Sequence, residues 1–133
     1  MNRLEKYQRK FNYIITKLER LPHNLEDEFM FDALLYRLHT SIEALMDVVA
    51  MLVRDYGGEV KDDYTNIETL KKLGVISPKI EAKLKKLNGL RNAIVHEYNK
   101  FNDRVVKEHL NEIIDDIFEC LKVLENAVER IFG

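Results

Sequence analysis

The chain has 133 residues, 46% of them apolar and 33% charged, with a formal net charge of −2. That length and balance exclude a disordered chain and suit one hydrophobic core, so a single domain over residues 1–133 is expected. One cysteine excludes an internal disulfide and a cysteine-rich zinc site, while the charged amino-terminal stretch and the short apolar runs argue against a signal peptide or membrane span and for a cytoplasmic protein.

The periodicity is helical nearly throughout. Leu4, Tyr7, Phe11, Ile14 and Leu18 step by three and four, which makes one apolar stripe, and Pro22 ends that helix. A long second helix is expected after Asn24 as N-cap, with Phe31, Leu35, Leu38, Ile42, Leu45, Val49, Leu52 and Tyr56 inward; Gly57-Gly58 stops it. Thr65 to Glu68 has the form of a capping box opening a short helix that Gly74 closes. Ser77-Pro78 is a second start signal, a serine cap with proline at the first helical position. The helix it opens carries Ile80, Leu84, Leu87 and Leu90. Residues 99–102 form a loop in this reading. A last helix begins near Asp103 with Val106, Leu110, Ile113, Ile117, Leu121, Leu124, Val128 and Ile131 inward. Cys120, between Phe118 and Leu121, is expected to be a small buried hydrophobe. Four long amphipathic helices and a short one, joined by short connections, predict an all-α up-and-down four-helix bundle.

Charge is unevenly spread. Counting Lys and Arg against Asp and Glu, residues 1–60 give 8 − 10 = −2, residues 61–107 give 11 − 6 = +5, and residues 108–133 give 2 − 7 = −5. The positive third, with Lys71, Lys72, Lys79, Lys83, Lys85 and Lys86, is either a solvated helix face or a rim that steers a polyanion. The acidic last third could meet a basic partner.

The positive third contains Arg91-Asn92-Ala93-Ile94-Val95-His96-Glu97-Tyr98. Arginine grips phosphate through a planar fork that never loses its charge. Histidine is the side chain best suited to exchange a proton near neutral pH. Arg91 and His96 are therefore the candidate catalytic pair. On a straight helix at ~100° per residue they lie ~140° apart, so they converge only if the helix breaks or if two chains meet. Each residue also has an ordinary structural role open to it. Arg91 could pair with Glu97 or a carbonyl, His96 could sit at a helix C-terminus as a favoured cation, and Tyr98 could simply pack. Asn92 is a polar helix position or a hydrogen-bond partner that orients His96. Glu43 and Asp47 lie one turn apart on the second helix, able to pair with arginine or hold a metal, and Asp47 is the candidate partner of Arg91. His23, His39 and His109 lack metal-ligand spacing, so no metal and no cofactor is expected.

The octet resembles the R-x4-H-x-Y signature of the HepT-like toxins, a branch of the HEPN superfamily of helical ribonucleases. Leu73-Gly74-Val75-Ile76, Leu87-Asn88-Gly89-Leu90 and the Tyr36–Asp47 segment with Ile42-Glu43-Ala44 agree with it, and the likeness spans roughly Phe31 to Leu124. It implies two motifs facing each other across a homodimer, and RNA cleavage by attack of a 2′-hydroxyl on the adjacent phosphate. RNA rather than DNA would be the substrate. It also implies a toxin whose antitoxin is a small nucleotidyltransferase, which silences it by transferring AMP to the tyrosine of His-x-Tyr, here Tyr98. The alternative it leaves open is a non-catalytic helical partner of such a nucleotidyltransferase that binds nucleotide or RNA without cleaving it.

Overall fold

A computed structural model of the chain describes residues 1–96 and 101–133. Five helices follow in order: α1 (Arg3–Glu19), α2 (Glu28–Asp55), α3 (Asp63–Lys72), α4 (Pro78–His96) and α5 (Asp103–Phe132). The four long ones form the expected up-and-down bundle, and α3 is the extra short helix. Pairings between helices fix the directions. Arg3 at the start of α1 meets Asp55 at the end of α2, while Arg37 Nη1 donates to the Lys17 carbonyl, so α1 and α2 are antiparallel. Lys79 faces Glu119 and Lys86 faces Glu112, so α4 and α5 are antiparallel too.

Helix α2 is the centre of the bundle and packs on every other helix. The expected stripe lies in the core, and between Leu38 and Val53 the burial extends beyond it over most of the circumference. Leu34 is fully buried there, whereas Leu35, assigned to the stripe, is only partly covered. The end of α2 is tied by Tyr7 and Asp55. The Tyr7 ring is fully buried, and its hydroxyl and Arg3 Nε both donate to Asp55 Oδ2, at 2.6 and 2.8 Å.

The helix ends show where local chemistry and sequence pattern agree. Ser77 Oγ accepts from the Ile80 amide, as Ser77-Pro78 predicts. Gly57 and Gly74 adopt φ of +90° and +75°, and the amides of Gly58 and Val75 reach back to the carbonyls of Val53 and Leu70, which closes both helices in the left-handed cap. Two starts differ from expectation. Asn24 makes a turn, its side chain accepting from the Glu26 amide, and the cap of α2 is Asp27, whose Oδ1 accepts from Met30 N. Helix α3 opens at Asp63, ahead of Thr65. The buried Asn66 side chain grips both the amide and the carbonyl of Lys61, at 2.7 and 3.0 Å, which folds the preceding segment back and starts the helix early. Helix α5 starts at Asp103 as expected, capped by Asn102, and bends at His109, the one non-helical residue inside it. Cys120 is fully buried, and burial pushes its thiol up to about 12.

Candidate active site

Helix α4 runs from Pro78 to His96 without interruption, so of the two ways for Arg91 and His96 to converge the broken helix is removed. The turn from Arg91 to His96 remains ~140°, and their surroundings differ accordingly. Arg91 is directed toward α2 and is only 22% exposed; His96 is open to solvent.

The Arg91 guanidinium is held on two sides. Nε and Nη2 both donate to Glu43 Oε1, at 3.1 and 2.6 Å, and Nη1 donates to Asn92 Oδ1 at 2.9 Å. Of the five N–H donors of the fork, these bonds use three, one of them from each terminal nitrogen. Two hydrogens, one on each of Nη1 and Nη2, are left for an incoming anion. Glu43 thus fixes the plane of the fork through its side edge without exhausting it.

Two expected partners are corrected by this arrangement. Asp47 is engaged elsewhere, accepting from Lys10 Nζ of α1 at 2.7 Å, and Glu43, one turn earlier, is the carboxylate on Arg91. Asn92 bonds Arg91, its neighbour in sequence, rather than His96. Both follow from the helix: residue 43 of α2 is level with residue 91 of α4, whereas residue 47 has turned toward α1. Sequence reading passed over Asp63 and Lys10. Burial raises the Asp63 carboxyl above its ordinary value; Arg91 pulls it back, and Asp47, Asp62 and Glu43 push it further up. Asp63 therefore lies within the field of the same group, although α3 carries it. Glu97, proposed as a partner of Arg91, and Tyr98 lie outside the described residues, as do the first two residues of the expected 99–102 loop.

The positive third of the chain has a different destination from the one a polyanion would need. Lys83 reaches Asp116 and Glu119 at 3.1 and 3.0 Å, Lys79 and Lys86 face Glu119 and Glu112, and Lys85 lies between Glu68 and Glu81. The basic partner of the acidic last third is, in large part, α4 of the same chain. His109, exposed as expected, lies 3.5 Å from Glu112. Beside this ladder the end of α4 and the start of α5 enclose an apolar groove of about 600 Å³ floored by Leu87, Leu90, Phe101 and Ile113. Among the described residues no helix is long and apolar enough to cross a membrane.

Comparison with known proteins identifies the family and the fold. Residues 4–124 match the family described as Ribonuclease HepT-like. A protein of Archaeoglobus fulgidus with the name "Putative RNase" is 40% identical over 129 residues, 97% of this chain and 98% of its own. A second Archaeoglobus fulgidus protein of the same name is 36% identical over 133 residues, 100% of this chain and 96% of its own. Among solved structures, a toxin–antitoxin crystallised with AMP-PNP superposes with a TM-score of 0.79 at 21% identity, over 93% of this chain and 99% of that one. The tri-AMPylated Shewanella oneidensis HEPN toxin in complex with MNT antitoxin gives a TM-score of 0.70 at 21% identity, over 95% of this chain and 99% of that one. At such identities the two structures show a shared fold.

Proposed function

The chain belongs to the HepT-like ribonuclease family, and from that premise we propose that it is a metal-independent endoribonuclease, the toxin of a HepT/MNT-type toxin–antitoxin pair, with an active site composed at a homodimer interface. One observation carries the composite site. Arg91 and His96 stand on one unbroken helix, Arg91 held inward by Glu43 and His96 turned out to solvent. The ~140° between them on one helix favours a phosphate held between two chains. A twofold axis beside the end of α4 gives each cleft an arginine and a histidine from different copies.

In that cleft His96 takes the proton of a ribose 2′-hydroxyl, whose oxygen attacks the adjacent phosphorus. The bond from phosphorus to the 5′-oxygen breaks, His96 returns the proton to that oxygen, and the products are a 2′,3′-cyclic phosphate and a 5′-hydroxyl. Arg91, through the two donors Glu43 and Asn92 leave to it, stabilises the charge that builds on the phosphoryl oxygens. One proton-transfer group supplies about 10²–10⁴-fold.

The deciding experiment is complementation. Homodimers of Arg91→Ala and of His96→Ala should cleave RNA at background rate. A mixed dimer of the two keeps one intact arginine on one chain and one intact histidine on the other, and should recover cleavage that EDTA leaves unchanged. A mixed dimer as inactive as its parents places both residues in one chain and refutes the composite site. A wild-type dimer that binds RNA and never cleaves it belongs to the alternative, a non-catalytic binding partner. In the toxin–antitoxin reading the partner nucleotidyltransferase adds AMP to Tyr98. Intact-mass analysis after co-expression, with Tyr98→Phe as the unmodified control, tests it.

A further inference from the structure

The lysines of α4 are matched by neighbouring acids; exposed cations remain at the end of α3, Lys71 and Lys72, and on α1, where they are interleaved with exposed aromatics. Residues 1–20 contain six Lys and Arg against two Asp and Glu, 6 − 2 = +4. Of those six cations, Arg3 is paired with Asp55 and Lys10 with Asp47. Tyr13 lies four residues from both Arg9 and Lys17 and three from Lys10, so the four side chains fall within a ~100° arc of α1. That face abuts the outer face of α2, where Tyr36, His39 and Glu43 also step by three and four. The two aromatics on it are open to solvent, Tyr13 at 39% and Tyr36 at 54%. Lys17 Nζ lies 5.3 Å from the Tyr13 ring centroid and 5.2 Å from that of Tyr36, which joins the two rings across the helix pair. His39 stands edge-on to Tyr36 with centroids 5.4 Å apart.

This surface is continuous with the candidate active site. A groove of about 290 Å³ between α1 and α2 is lined by Arg9, Lys10, Tyr13 and Glu43, and Glu43 is the residue that holds Arg91. The two carboxylates on the groove do not cancel its charge for a ligand, because Glu43 is already paired with Arg91 and Asp47 with Lys10. Arg9 and Lys17 supply the excess. Asp32, one turn beyond Tyr36, carries an exposed carboxylate and bounds the strip at its far end.

Resting on the ribonuclease reading, we infer that the α1–α2 face is a track for the single-stranded RNA that flanks the scissile phosphate, with Arg9 and Lys17 on phosphates and Tyr13 and Tyr36 as stacking platforms for bases. Cationic side chains interleaved with exposed rings are the chemistry that recognises a single strand, because every unpaired base offers a π-face and every linkage a charge. A duplex keeps its bases stacked on one another and offers none to the tyrosines. Seven residues of α2 separate Glu43 from Tyr36, about 10 Å at 1.5 Å per residue. Some three stacked nucleotides at ~3.4 Å each span it. A substrate with one phosphate therefore falls short of Tyr36, and a 12-mer covers the track.

The test uses the wild-type dimer, a Tyr13→Ala/Tyr36→Ala variant and an Arg9→Gln/Lys17→Gln variant, all at exposed or half-exposed positions, with thermal melting as the control for folding and single Tyr36→Leu as a milder change. Binding is read by fluorescence anisotropy on a labelled, fully 2′-O-methylated 12-mer, which cannot be cleaved by 2′-hydroxyl attack. Cleavage is read on an unmodified 12-mer and on a dinucleoside monophosphate. The double tyrosine variant, which loses two stacked bases at ~1–3 kcal/mol each, should bind the 12-mer at least roughly 30-fold more weakly. For every phosphate that the Arg9/Lys17 variant no longer neutralises, the slope of log K against log salt should become shallower by about 0.7. Both variants should show reduced kcat/KM on the 12-mer and keep it on the dinucleotide. Unchanged binding and cleavage of the 12-mer by folded variants overturns the track and leaves the ribonuclease reading standing. Wild-type protein that binds the 12-mer through these residues and cleaves neither substrate overturns the ribonuclease reading and leaves the track. Equal affinity for a 12-base-pair RNA duplex overturns the stacking role of the tyrosines.

Discussion

Glu43 offers the sharpest test of how the Arg91 fork is prepared. Its single oxygen takes hydrogen bonds from Nε and Nη2, so two perturbations separate orientation from charge. Glu43→Ala removes both bonds. Because the two side chains are 22% and 40% exposed, the low end of the range for a charge-assisted bond applies, about 1.5 kcal/mol. If that positioning is realised in the transition state, kcat falls about tenfold, since ~1.4 kcal/mol is one decade. Glu43→Gln keeps an amide oxygen in place to accept from the fork and removes only the negative charge. A phosphate ~7 Å away in a nearly aqueous dielectric then escapes a repulsion of about 0.6 kcal/mol, worth roughly a threefold lower KM with kcat little changed. The assay is steady-state cleavage of a fluorogenic RNA oligonucleotide over a range of concentrations. Glu43→Ala with wild-type kcat would refute the positioning role. Equal behaviour of the Ala and Gln variants would leave the charge of Glu43 as its only contribution.

Three further outcomes are expected. Asp55→Ala leaves the buried Tyr7 hydroxyl without its acceptor, at a cost of about 1–3 kcal/mol, and should lower Tm by several degrees in a thermal melt. Burial pushes the Asp55 carboxyl up, but the hydrogen bonds from Arg3 and Tyr7 outweigh it and hold it below its ordinary value; its contribution is therefore full above the ordinary carboxylate range and is lost as pH falls through the depressed value, so the Tm gap between wild type and Asp55→Asn should narrow on acidification. Cys120 should resist alkylation by iodoacetamide in the folded protein at pH 8 and react on unfolding in urea, followed by mass spectrometry; rapid native labelling would contradict its burial. Lys86→Gln should leave RNA affinity and its salt dependence nearly unchanged, a shift smaller than one neutralised phosphate produces, because Glu112 matches Lys86.

The helices were legible in the chain because their signals are local. Three-four steps of apolar residues, Ser77-Pro78 and the glycines after α2 and α3 each act within a turn or two of themselves. Two starts were misplaced for the complementary reason. Asn24 and Thr65 are good caps in isolation, but Asp27 and Asn66 make hydrogen bonds that outcompete them, and the Asn66 pair closes a segment that lies outside any capping window. The stripe of α2 was legible but too narrow, because neighbours on several sides also bury Leu34, Ala44, Met46, Val48 and Val53 outside it.

The site was legible as a set of residue types and not as a set of partners. Arg91 and His96 stand out by chemistry and spacing, and the ~140° between them could be worked out from the helix alone. Which carboxylate meets Arg91 depends on the relative height of α2 and α4, and four residues along α2 decide between Glu43 on Arg91 and Asp47 on Lys10. Charge misled for a related reason. Summing over residues 1–60 merged the cations of α1 with the acids of α2 and hid the +4 of the first twenty residues. Meanwhile the +5 of residues 61–107 looked available, although the antiparallel packing of α4 on α5 sets much of it against the acids of the last helix. A window of sequence adds charges that the fold sets on opposite faces and separates charges that the fold brings together. The face that can meet a polyanion is therefore found by asking which cations remain after the helices have paired, and that question leads from the motif on α4 to the tyrosines and cations of α1 and α2.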